Sequence, residues 1–82
     1  MRVVHELSYP ECKITFFSWN NRYLIKFEQG LLEQTFKIDQ FDVKDVQELV
    51  KLIDTEFLKL AVSRFQEMSQ SLMEARHRLA QQ

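Results

Sequence analysis

The hydrophobic period of this chain changes once, near Gln40, and that change limits the folds open to it. Residues 3–38 alternate with a period of two, as strands with one buried face do. Cys12, Ile14 and Phe16 share a face with Tyr23, Ile25 and Phe27, and Leu32, Phe36 and Ile38 return to it. Gln34 is the polar misfit on that inner face. Turn residues at Tyr9-Pro10, Asn20-Asn21 and Gln29-Gly30 separate four runs, and Asn and Gly tolerate the positive φ of tight hairpins. Proline suits a tight primed turn poorly, so the first connection calls for a longer loop or a cis bond.

These turns set an expected register. Asn20-Asn21 brings Trp19 opposite Arg22, Phe17 opposite Leu24, Thr15 opposite Lys26 and Lys13 opposite Glu28. Tyr9-Pro10 sets Glu6 against Lys13 and His5 against Ile14, while Gln29-Gly30 sets Lys26 against Glu33. A charge row Glu6–Lys13–Glu28 then crosses the outer face, and Arg22 meets Lys37.

After Gln40 the spacing becomes helical, and no Gly or Pro interrupts the chain to Gln82. Asp42 is the expected N-cap, Asp45 the acid of a capping box, and Phe41 a staple to Val46. A continuous helix of about 40 residues spans about 60 Å, more than twice the ~27 Å of an eight-residue strand. Either it kinks or breaks near residues 54–56, where Asp54-Thr55 offers a second cap, or its overhang meets another surface. The expected fold is therefore α+β within one domain, 1–82: a four-stranded antiparallel β-meander over 1–40, then a long C-terminal helical segment over 41–82.

Two apolar stripes run along that segment. Val46, Val50, Ile53, Phe57 and Leu60 form one, turned toward the sheet. Leu58, Ala61, Phe65, Met68, Leu72, Ala75 and Leu79 form the other, an unbroken three-four heptad seam. The seam is expected to be an oligomer interface, closing a homodimer or tetramer by helix pairing. The rival is a helix that folds back and buries the seam on its own sheet. A chain of this length buries a thin core, which favours help from a partner.

The outer sheet face is a second candidate surface. Phe17, Trp19, Arg22 and Leu24 lie on it among Lys13, Lys26 and Lys37, a mixture that single-strand nucleic-acid platforms also use. Acidic neighbours nearly cancel that charge and the chain's net charge is −1, which argues against nucleic acid and for a protein partner.

Chemistry has little foothold. His5 and Cys12 sit near each other in the expected register, but no orienting group or oxyanion donor accompanies them. Glu74 and His77 have a metal-bundle spacing yet point away from the seam. Tyr23, Gln34 and His5 are the polar groups from which a small-ligand site between sheet and helix would be built. The single cysteine excludes an internal disulfide and points to a reducing, cytoplasmic setting. No apolar run reaches membrane-spanning length. The expectation is a non-enzymatic scaffold without cofactor or metal, partnered by itself and by another protein.

Overall fold

The computed structural model describes residues 1–81. Gln82, counted in the expected helical segment, lies outside the described residues. Strands β1 (Arg2–Ser8), β2 (Lys13–Trp19), β3 (Arg22–Gln29) and β4 (Leu32–Asp39) form one antiparallel sheet in the order β1-β2-β3-β4. A 3-10 turn (Gln40–Asp42) leads to the short helix α1 (Val46–Lys51) and the long helix α2 (Thr55–Ala80). This is the expected α+β arrangement of a meander followed by a long helix.

The three connections behave differently because their residues do. Asn20 and Asn21 both take positive φ, 50° and 61°, as a type I′ turn requires. The β2–β3 register is accordingly the expected one, from Lys13 opposite Glu28 to Trp19 opposite Arg22. The β3–β4 turn is centred on Gly30-Leu31 rather than Gln29-Gly30, with Gln29 pairing with Leu32. Gly30, at φ 59°, takes the first central position, where a type II′ turn needs glycine. Moving the turn by one residue moves the pairing by two. Lys26 therefore faces Thr35 instead of Glu33, and Arg22 faces Asp39 instead of Lys37. Glu28 and Glu33 become direct neighbours, and the Lys26 ammonium, 3.9 Å from one and 3.7 Å from the other, relieves their repulsion.

The β1–β2 connection is a four-residue loop, closed by the Tyr9 N–H donating to the Cys12 carbonyl at 2.9 Å. A bulge between Val3 and His5 further shifts the ladder. The longer loop alone sets His5 opposite Phe16, not Ile14, and Glu6 opposite Thr15, not Lys13; the bulge shifts only Val3 and Arg2 beyond them. The expected charge row shrinks to Lys13–Glu28.

The helical segment breaks where Asp54 offered a cap. Its carboxylate accepts from the Phe57 N–H at 2.8 Å and starts α2. At α1 the cap is Asp45, accepting from the Glu48 N–H at 2.8 Å, and not Asp42, which belongs to the 3-10 turn. Asp39 caps that turn through the Phe41 N–H. Phe41, spent on this turn, stands exposed and does not staple to Val46.

The break lets the chain cover its sheet in two passes. α1 packs on β1, and α2 packs on β4. Early in α2, Thr55, Leu58 and Val62 lie beside Glu11 of the β1–β2 loop. Phe57 stacks on Phe27 of β3 at 5.7 Å and meets Phe36 of β4 edge-on at 5.3 Å. Further along, Ala61 and Arg64 reach Gln34 of β4. Helix α2 thus packs on β3 and β4 through its first half, and its second half extends past Met68 without contacts to the core. The core between the layers comprises Cys12, Ile14, Phe16, Tyr23, Ile25 and Phe27 from the sheet with Leu49, Ile53, Ala61 and Phe65 from the helices. Leu49, on neither expected stripe, lies three residues from Val46 and so shares the face of Val46, Val50 and Ile53 that packs on the sheet.

Candidate interaction surfaces

The heptad seam divides along α2. Ala61 and Phe65 are 0% exposed and belong to the chain's own core, so this part of the expected interface is a correction: it is closed by the same polypeptide. Leu58 and Met68 are half-buried against that core. The first stripe faces the sheet as expected, with Ile53 in the core and Val46, Val50 and Phe57 packed against it, and the seam joins it there. Leu60, the last member of the first stripe, is exposed. Past Met68 the seam keeps its phase but loses its cover. Leu72 is 50% and Leu79 70% exposed, and Ala75 between them is exposed as well. These three continue the spacing of Ala61, Phe65 and Met68 along α2. The twelve residues from Ser69 to Ala80 extend about 18 Å at 1.5 Å per residue.

Gln34, the inner-face misfit, anchors the covered half. Its Nε2 donates to the Ala61 carbonyl at 2.8 Å, and its Oε1 accepts from Arg64 Nε at 2.9 Å. The Arg64 guanidinium in turn lies 5.8 Å from the ring centres of Phe36 and Phe57. A side chain so engaged is a structural clamp between sheet and helix. The small-ligand site imagined around Tyr23, Gln34 and His5 is not assembled: Tyr23 is buried, and His5 packs edge-on to Phe16 at 5.7 Å.

The two edges of the sheet contrast. β1 carries the bulge, a common guard on an edge strand. β4 pairs with β3 without interruption from Leu32 to Asp39 and has no strand on its other side. Gln29 and Leu32 close a two-residue turn, and the Gln40 N–H donates to the Asn21 carbonyl at 3.0 Å. Antiparallel ladders alternate, so the even-numbered β4 residues bond to β3. The N–H and C=O groups of Glu33, Thr35, Lys37 and Asp39 face outward from the sheet.

On the outer face the four expected residues do not form one open patch. Leu24 and Thr15 are buried and Phe17 is half-buried, roofed by neighbouring side chains. Lys26 lies 5.8 Å from the centre of the Phe17 ring while also serving Glu28 and Glu33. Trp19 and Arg22, paired across β2 and β3, are the two that remain exposed.

The reactive groups are dispersed. His5 lies opposite Phe16, four residues along β2 from Cys12, so the two do not meet. Burial, with a contribution from Glu11, raises the Cys12 pKa, the opposite of what a nucleophilic thiolate needs. Glu74 accepts from Gln70 Nε2 at 2.8 Å, and His77 Nε2 lies 3.1 Å from Gln81 Nε2; both partners are on the same helix. Among the described residues no three His, Cys, Asp or Glu side chains gather closely enough to hold a metal ion. Among the described residues no helix is long and apolar enough to cross a membrane. No protein-family model matches this chain, and no curated protein or solved structure shows significant similarity to it.

Proposed function

We propose that the protein is a non-enzymatic, self-associating scaffold that makes its contacts through the end of α2. One observation carries this reading. Leu72, Ala75 and Leu79 continue, in phase, the stripe that Ala61, Phe65 and Met68 bury, yet stand exposed beyond the sheet. An apolar stripe that outruns its own cover by about three turns is burial held for a second surface. Nothing in the sheet requires α2 to continue past Met68; the added turns stabilise only if something packs on them.

Light scattering on sized protein tests this directly, comparing wild type with Leu72→Glu. Leu72 is remote from the chain's own core, so the variant keeps its fold while a charge enters the exposed stripe. The expected result is a wild-type mass above one chain that falls in the variant. A wild-type mass of one chain at high concentration contradicts the proposal.

A further inference from the structure

We infer that the second copy docks edge to edge, β4 against β4 in antiparallel register with Thr35 on the two-fold axis. The inference rests on the self-association proposed above and adds where the second copy sits. Two observations converge on it. The β4 edge is regular and open while the β1 edge is bulged. The outward-facing residues of β4 carry a self-complementary charge pattern.

The register follows from the last point. Pairing on this edge must match the outward groups of Glu33, Thr35, Lys37 and Asp39 with their equivalents, and few alignments do so. Centring on Glu33 sets Glu33 against itself, and centring on Lys37 sets Lys37 against itself. Centring on Phe36 sets Glu33 against Asp39. Centring on Gln34 pairs Glu33 with Thr35 and leaves Lys37 against Leu31. Centring on Thr35 sets Glu33 opposite Lys37 twice, related by the two-fold, with threonines meeting between them. On the inner side this register brings Leu32 opposite Ile38 and Gln34 opposite Phe36.

Charges on an edge strand also serve to repel other strands. Here the charges are opposite in sign and symmetric about one residue, which attracts a copy in that single alignment.

Cysteine crosslinking reads the register. A hydrogen-bonded antiparallel pair holds its Cα atoms about 5.5 Å apart, within disulfide range. Thr35→Cys is expected to form a disulfide-linked dimer under mild oxidant on a non-reducing gel, whereas Glu33→Cys, two residues off the axis, is not. Cys12 is buried and serves as internal background. In parallel, Lys37→Glu is expected to weaken dimerisation at least about tenfold by sedimentation, and Glu33→Lys added to it to restore wild-type affinity. An unchanged Lys37→Glu dimer, or equal crosslinking at 33 and 35, overturns the edge pairing. If Leu72→Glu still dissociates the protein in that case, the helical contact stands without it; a wild-type monomer removes both.

Discussion

The two halves of α2 are written in the same pattern and live in different surroundings. From Thr55 to Met68 the three-four spacing places Ala61 and Phe65 in a sealed core and clamps the helix to Gln34. From Ser69 to Ala80 the same spacing, in the same phase, leaves Leu72 and Leu79 half or more in water. The difference teaches that periodicity specifies which side of a helix is apolar but not what covers it. Cover is decided by the length of the sheet underneath and by the break at Asp54 that sets where α2 begins. A helix of twelve residues without tertiary cover is marginal in water, so the second half depends on what it meets.

Substitutions separate the halves, beginning with the largest expected loss. Phe65→Ala empties the centre of the covered half and is expected to cost about 3–5 kcal/mol of unfolding free energy in urea titrations. A loss below about 1 kcal/mol would mean that Phe65 is not the keystone described here. Asp54→Ala removes the cap that separates α1 from α2, at an expected cost of about 1 kcal/mol by the same titration. Asp42→Ala, away from any cap, is expected to change little.

A smaller effect reports the covered half through pH. The Cys12 thiol, raised above its ordinary value of 9.0 chiefly by burial, keeps its proton in the folded state when the unfolded chain has lost it. Stability is then complete below pH 9 and declines as pH rises toward the folded value. Cys12→Ala is expected to flatten that alkaline decline relative to wild type, measured as urea midpoints at pH 8 and pH 10. The smallest expected change is Leu72→Ala in dilute protein, within about 0.5 kcal/mol, because Leu72 is 50% exposed and not part of the buried core. A large loss there in dilute protein would erase the distinction between the halves.

Much of this was legible in the sequence, and the reasons it was not complete are local. The Asn20-Asn21 turn gave the β2–β3 register residue for residue, because two asparagines at positive φ admit only one hairpin geometry. Gly30 allowed two turn positions, and the sequence pattern favoured the wrong one; backbone chirality at the first central residue decides it. The bulge at Val3–His5 had no signature at all, since it rests on how β1 follows its neighbour. The break at Asp54 was visible as a cap, but its consequence was not. Both stripes end up on the sheet, Val46, Val50, Ile53 and Phe57 beside Ala61 and Phe65, and of the first only Leu60 is left exposed. Leu24 and Phe17 were rightly assigned to the outer face, yet their shelter under neighbouring side chains depends on side-chain lengths that alternation does not encode.

Hydrogen exchange along α2, followed at two protein concentrations, tests the central claim most directly. Amides from Leu58 to Met68 are expected to be protected at both concentrations, since their cover is intramolecular. Amides from Leu72 to Leu79 are expected to exchange freely in dilute protein and to gain protection as concentration rises. Equal protection of the two segments in dilute protein, or free exchange of the second at every concentration, would contradict a helix half reserved for a second copy.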